Sequence, residues 1–387
     1  MAHAAQNTKA ALTVATLLMG IAGLSGCAPK PSVDDGKPAR DEIRVSASDD
    51  FCQLSRTRAD TGTSTFVITN TGTRVTEFYV YGAGDRVLGT VGDISPGLQR
   101  KLTVQLPDPG NYYTSCKPGM IGDGIRSTFV VSGKPATRNT QDPFTQAAEI
   151  YKKYVTAQTT ELVTATEAFV GAIKKGDVEG AEAVFATART FYERIAPIAE
   201  SLPHDLDRRI NLREADLRPG EKWTGFHRLE KDLWVTKPQP DTNAVADQLI
   251  VDVKDLDSTV NDPEWLSPAT VFTAGARRVL GNVATNMITG QEDLYSHTDL
   301  WDFQANLDGS RTATGSVRPI IAERHPELGR QLDAAFATAQ GLLDRHHWNG
   351  GFVYYDSVTE PERQELAHAV QTLDQVVGDM QGVLTPP

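Results

Sequence analysis

Two hydrophobic rhythms divide this chain. In the first hundred residues after position 40, apolar and polar positions alternate in short runs: Ile43-Arg-Val45-Ser-Ala47, the β-branched run Thr65-Phe-Val-Ile68 closed by Asn70-Thr-Gly72, and Glu77-Phe-Tyr-Val-Tyr81 closed by Gly82. Lys101-Leu-Thr-Val-Gln-Leu106 stops at Pro107-Asp-Pro-Gly110, and Asn111-Tyr-Tyr-Thr-Ser115 and Ser127-Thr-Phe-Val-Val131 follow. A period of two punctuated by turn residues predicts short strands and therefore an all-β sandwich over residues 41–135. Further on the turn signals thin and the period lengthens to that of a helix. The pattern predicts helices over 147–174, stopping at Gly176, and over 178–200, bent where Pro197 removes a backbone donor. An irregular charged connection over 205–220 comes next, then a short helix around His227. Helices over 242–256, 268–289, 326–343 and 361–383, with a compact segment over 292–307, complete a bundle spanning 141–387. The fold class is thus multidomain, β then α.

The short helix, Trp223-Thr-Gly-Phe-His227-Arg-Leu-Glu230-Lys-Asp-Leu-Trp234, carries the most informative chemistry. Residues three apart on a helix differ by about 60° around the axis and about 4.5 Å along it, so His227 and Glu230 share a face and can grip one cation. Phe226, Leu229, Leu233 and Trp234 supply an apolar face beside them. The plainer reading is a helix pair in which Glu230 only orients the imidazole.

The leading residues read as a targeting segment. Lys9 precedes an apolar stretch over 10–24 that is short for a bilayer span, and the stretch ends at Leu24-Ser25-Gly26-Cys27. This resembles a bacterial lipobox, with residues 1–26 a signal peptide and Cys27 the lipidated residue of the mature chain; an ordinary secretory peptide is the alternative. Residues 27–40, with Pro29, Pro31 and Pro38, fit an extended tether. The expected location is outside the cytoplasm, anchored by lipid at the outer face of the cell membrane or in the periplasm. The remaining cysteines, Cys52 and Cys116, can pair as a disulfide in such a compartment or stay free as ligands.

At 387 residues and 40% hydrophobic content the chain can bury large cores, and its net charge of −12 speaks against a nucleic-acid partner. An acidic chain suits cations.

Taken with the lipobox-like stretch and the β-then-α order, three stretches carry a family resemblance: Trp223 to Glu230, the preceding Arg213-Glu-Ala-Asp216, and Tyr295-Ser-His-Thr-Asp-Leu-Trp-Asp-Phe-Gln-Ala-Asn306. The helical half resembles the imelysin-like, peptidase M75-like domain. The whole mature chain is similar to the EfeM/EfeO family of extracytoplasmic iron-uptake components. The resemblance implies iron, as Fe²⁺ or Fe³⁺, held in the helical domain by His227 and Glu230 with acidic residues from neighbouring helices. Glu193 and Asp207 are the foremost of these, ahead of Glu200 and Asp205. A further cluster, Glu292, Asp293, His297, Asp299 and Asp302, offers His297 as a ligand from the opposite side, as a partner that orients a ligand, or as an interior structural histidine. Hard oxygen ligands with one imidazole suit Fe³⁺, Mn²⁺ or Zn²⁺. His325, His346, His347 and His368 are assigned structural roles, and Trp301 and Phe303 core roles.

The β half resembles a cupredoxin-like Greek-key sandwich with altered copper chemistry. A blue-copper site needs two His and a Cys thiolate, usually with an axial Met. No histidine occurs between residues 40 and 140, although Tyr113-Thr-Ser-Cys116-Lys-Pro-Gly-Met120 keeps the strand, the Cys and a Met. Family likeness implies metal held by Cys52, Glu77 and Cys116, copper and zinc being further candidates, with Met120 and Asp123 weaker. If the two cysteines pair with each other, this half is a scaffold or docking module instead. The implied partners are an EfeU-type permease and an EfeB-type haem peroxidase. The alternatives are an M75-type metallopeptidase and a protein that binds acidic polysaccharide through bridging metal. The sequence lacks His-Glu-x-x-His and any Gly-x-Ser-x-Gly elbow, so a binding protein is expected rather than an enzyme.

Overall fold

The computed structural model describes residues 42–120, 123–135 and 140–384. The expected leader, Cys27 and the tether lie outside them.

Among the described residues nine strands form the first half: β1 (Glu42–Ala47), β2 (Cys52–Leu54), β3 (Arg58–Asp60), β4 (Gly62–Asn70), β5 (Thr76–Tyr81), β6 (Val87–Ile94), β7 (Gln99–Leu106), β8 (Gly110–Pro118) and β9 (Ile125–Ser132). They make two sheets, ordered β2-β1-β4-β7 and β3-β9-β8-β5-β6, with β1 parallel to β4 and β3 parallel to β9. Alternation drives this packing. Ile43, Val45, Phe66 and Ile68 from one sheet bury against Phe78, Val80, Phe129 and Val131 from the other. Phe66 sits 5.3 Å from Phe78 and 5.5 Å from Phe129, centroid to centroid. Burying each such side chain stabilises the sandwich by about 1.5–3 kcal/mol. A Cys52–Cys116 disulfide links β2 to β8 and so staples the two sheets together.

Strand β5 also explains how the two halves meet. Phe78 and Val80 enter the sandwich core, so a period of two sends Tyr79 to the opposite face. There Tyr79 and Val87 pack on Val271 of the helical half.

That half comprises α1 (Pro143–Lys175), α2 (Val178–Glu193), α3 (Ala196–Ala199), α4 (Leu206–Asn211), α5 (Phe226–Lys231), α6 (Thr242–Asn261), α7 (Ala269–Thr285), α8 (Asp299–Ser316), α9 (Arg318–Arg324) and α10 (Pro326–Leu343). A small hairpin, β10 (His347–Trp348) and β11 (Gly351–Phe352), precedes α11 (Glu360–Leu384). Helix α1 is capped at one end by the Asp142 carboxylate, which accepts from Thr145 N at 2.8 Å, and at the other by Gly176 in the left-handed region.

The expected single helix over 178–200 is corrected. It ends at Glu193, four residues before Pro197, because a proline ring clashes with the carbonyl of residue i−4. The chain restarts as α3 with Pro197 in its first turn. The charged connection over 205–220 is likewise not wholly irregular, since it contains α4 and a 3₁₀ turn, Glu214–Asp216. Among the described residues no helix is long and apolar enough to cross a membrane.

Candidate metal centre

The motif around His227 is held by backbone-directed contacts. Trp223 Nε1 donates to Leu212 O at 2.7 Å, and Thr224 Oγ1 donates to Arg209 O at 2.9 Å. Between them and the helix, Gly225 adopts φ +89 where a Cβ would overlap the Ile210 carbonyl, so only glycine lets α5 start this close to α4. Phe226 then anchors α5 among Phe169 and Phe185, and the helix continues as a π-helical segment, Asp232–Thr236.

His227 is 2% exposed and Glu230 fully buried. His227 Nδ1 lies 3.1 Å from Glu230 Oε2. The other carboxylate oxygen, Glu230 Oε1, accepts three hydrogen bonds from the segment before α8: Tyr295 N at 2.9 Å, Ser296 N at 2.8 Å and Ser296 Oγ at 2.9 Å. This segment brings Asp293 beside the pair, with Oδ1 at 4.0 Å from His227 Nδ1. His227, Glu230 and Asp293 offer ligand atoms that all lie within 4.8 Å of one another.

A second group of carboxylates, Glu193, Glu292 and Asp302, meets the same spacing. Glu292 Oε1 is 3.5 Å from His227 Nε2, so the two groups adjoin. Among them runs Arg189, fully buried, whose Nη2 lies 3.0 Å from Glu193, 3.5 Å from Glu292 and 2.6 Å from Asp302, while its Nε is 3.0 Å from Asp293. The pairing is a lattice between two helices: Arg189 and Glu193 are i, i+4 on α2, and Asp302 and Asn306 are i, i+4 on α8. Asn306 Nδ2 donates to Glu193 Oε2 at 2.9 Å. Arg213 reaches Glu292 Oε2 at 3.3 Å from the outer edge.

Burial dominates the electrostatics. It raises Glu193 to about 7, against the pull of Arg189, and raises Asp299 to about 7 with help from Asp293. Asp293 and Asp302 are also raised, again chiefly by burial. For His227, burial and Arg189 favour the neutral ring, but Glu230 and Glu292 override them and hold it up at about 9. Glu292 is the counterpart: burial opposes its charge, yet His227, Arg189 and Arg213 bring it down to about 2. Six carboxyls, those of Glu193, Glu230, Glu292, Asp293, Asp299 and Asp302, thus face two guanidiniums and one imidazole. His227 Nε2, Asp299 Oδ2 and Asp302 Oδ1 are buried without a hydrogen-bond partner, and Asp293 Oδ1 has the ion pair to Arg189 Nε. Carboxyls that hold protons for want of positive charge, beside an imidazole nitrogen without a partner, are what a multivalent cation corrects.

The other sequence candidates are placed as follows. Glu193 belongs to the Arg189 group rather than to that of His227. Asp207 accepts from Tyr192 Oη and joins neither group. His297 is exposed, in the left-handed region, and outside both groups, so its reading as a ligand from the opposite side is corrected. The residue before α8 that approaches the imidazole is Asp293. Glu200, cut off from α2 by the break, pairs with Arg278 at 2.8 Å, and Asp205 is exposed at the start of α4. His325, His347 and His368 are exposed and His346 is buried; none of the four joins either group.

In the β half the expected thiolate ligands are corrected, since Cys52 and Cys116 are bonded to each other. Glu77 also stands apart from them. Cys116 pairs in register with Phe78 and shares the sandwich core, whereas Glu77 accepts from Tyr79 Oη at 3.0 Å on the face toward α7. Glu77 and Met120 line a cavity of about 490 Å³ shared with Arg278 and Asp374. Asp123 is exposed.

Sequence reasoning missed Arg189. Its signal was present: a charged residue four positions after Phe185 on the apolar face of an amphipathic helix.

The order of the two halves defines a class, a cupredoxin-like sandwich followed by an imelysin bundle. Residues 13–131 match the cupredoxin-like domain, and residues 147–379 match the imelysin family, peptidase M75. The chain is 36% identical over 350 residues to the iron uptake system component EfeO of Escherichia coli K12, an alignment covering 89% of this chain and 91% of that one. The EfeO proteins of Escherichia coli O157:H7 and Shigella flexneri align with the same identity and coverage. The chain belongs to the EfeO family.

Proposed function

We propose that this chain is an extracytoplasmic iron carrier: it takes up iron as cargo at His227, Glu230 and Asp293 and delivers it to a membrane permease. The observation that carries this reading is the convergence of His227, Glu230 and Asp293, all buried, to within 4.8 Å of one another, with His227 Nε2 lacking a hydrogen-bond partner. The name of the relatives, iron uptake system component, agrees with it. Carboxylate oxygens with a single imidazole favour a hard cation, Fe³⁺ foremost, with Mn²⁺ and Zn²⁺ as competitors. Lipidation at Cys27 would hold the carrier at the membrane, an EfeU-type permease would receive the iron, and an EfeB-type haem peroxidase would act beside it. With its cysteines paired, the β half serves as a scaffold or docking module and takes neither copper nor zinc through thiolates.

Against a peptidase reading stands the use of Glu230 as a ligand: Oε1 accepts three hydrogen bonds and Oε2 is offered to the cation, so the general base that a hydrolytic water needs has no evident candidate. The test is iron titration of the purified chain against His227→Ala and Glu230→Ala. Loss of one tight equivalent in both variants supports the site; unchanged stoichiometry and affinity refute it.

A further inference from the structure

We propose that Arg189 is a built-in cation occupying the place of a second metal ion, so that the helical domain loads one ion rather than two. The inference rests on the reading that His227, Glu230 and Asp293 hold the first.

The two ligand groups adjoin through Glu292 and Asp293, and neighbouring carboxylate groups contributed by separate helices are how bundles build two-metal sites, with ions about 3.5–4 Å apart. Here the groups differ in one respect. Arg189 contacts every member of the Glu193, Glu292 and Asp302 group, through Nη2 at 3.0, 3.5 and 2.6 Å. Of the other group it contacts Asp293 alone, at 3.0 Å. One carboxylate nest therefore already has its positive charge. His227 Nε2, buried and without a hydrogen-bond partner, marks the neighbouring nest as the one still lacking a metal ion.

A guanidinium is suited to this duty. It keeps its proton at any physiological pH, and its planar fork supplies several donors in fixed directions. Arg189 uses that fork fully: besides the acids, Nη1 donates to Asn211 Oδ1 at 2.5 Å. An arginine cannot be displaced as readily as water, because it is tethered to α2 and its guanidinium carbon lies 5.9 and 6.0 Å from the rings of Phe185 and Phe226. The acidic nest is thus held together in the metal-free chain, and its ligand capacity is capped.

Mn²⁺ bound to the full chain provides the test, read by electron paramagnetic resonance and by counting bound ions. Wild type should show an isolated Mn²⁺ signal, and Arg189→Lys should match it. Arg189→Met should take up one more ion and show a spin-coupled pair. A folded Arg189→Met with an isolated signal overturns the proposal, as does a coupled pair in wild type. No Mn²⁺ lost on Glu230→Gln would instead sink the metal-site reading itself, a separate failure. Should Arg189→Met not fold, Glu193→Gln decides. If Glu193 serves Arg189 and not the ion, Mn²⁺ affinity falls by no more than about a hundredfold; a larger loss overturns the proposal.

Discussion

Replacing Glu230 by glutamine separates the two jobs of one side chain. Its Oε1 is an acceptor for Tyr295 N, Ser296 N and Ser296 Oγ, and an amide oxygen accepts those bonds equally well. Its Oε2, 3.1 Å from His227 Nδ1, is the oxygen offered to the cation, and the variant puts an uncharged NH₂ there. A unit charge pair at about 4 Å and an effective dielectric near 20 is worth about 4 kcal/mol, which corresponds to a loss of roughly a thousandfold in affinity. Stability of the metal-free chain should fall: Gln keeps the three anchoring bonds and relieves the repulsion that Glu230 exerts on Asp293, but it removes the carboxylate that holds the buried His227 ring charged. Isothermal titration with Fe²⁺ under argon, alongside thermal unfolding followed by circular dichroism, measures both quantities. Ser296→Ala supplies the contrast: it removes one anchoring bond and no charge, so affinity should fall about tenfold to a hundredfold. Binding by Glu230→Gln within threefold of wild type, with an intact fold, would refute the reasoning.

The metal-free chain should lose stability as pH rises from about 5 to about 9. Glu193 and Asp299, each raised to about 7, bind protons more tightly when folded, so their contribution is present below the ordinary carboxyl range and lost as pH climbs through 7. His227, raised to about 9, contributes below its ordinary value and loses that contribution as pH passes 9. Glu292 runs the other way, but its contribution is lost only as pH falls toward 2. Calorimetric melting temperatures with chelator should therefore fall across this range, and a flat or rising series contradicts the charge reading. Opening the Cys52–Cys116 staple by Cys→Ser at both positions frees a loop with a sequence separation of 64, at a cost of about 4 kcal/mol in the chain-entropy picture. Denaturant unfolding should show that loss while iron stoichiometry stays unchanged; a lost equivalent of metal would place a ligand among the sulfurs.

The division into sandwich and bundle was legible because period two and period 3.6 are written directly in the sequence. His227 and Glu230 were legible for the same reason, as helix geometry alone puts them on one face. Asp293 was not, since its approach depends on three hydrogen bonds from residues 295 and 296 to Glu230, contacts 65 and 66 residues apart in the chain. Glu193 and Glu200 share a face only if the helix is continuous, and the clash between Pro197 and the Glu193 carbonyl ends that continuity. The grouping of Glu77 with the cysteines neglected strand parity. Phe78 lies in the sandwich core, so its neighbour Glu77 belongs to the opposite face.

Every ligand proposed for the cargo is sealed from solvent, and the seal has a visible latch. Glu214 accepts from Lys231 Nζ at 2.5 Å and from Tyr295 Oη at 2.6 Å, tying the 3₁₀ turn across the segment that carries Asp293. On the proposed carrier reading, an ion enclosed in this way exchanges only when the enclosure opens, so rate of release and affinity become separate quantities. Loosening the Glu214 tie would speed exchange in both directions, while the net direction of transfer would still be set by the relative affinities of donor and receiver.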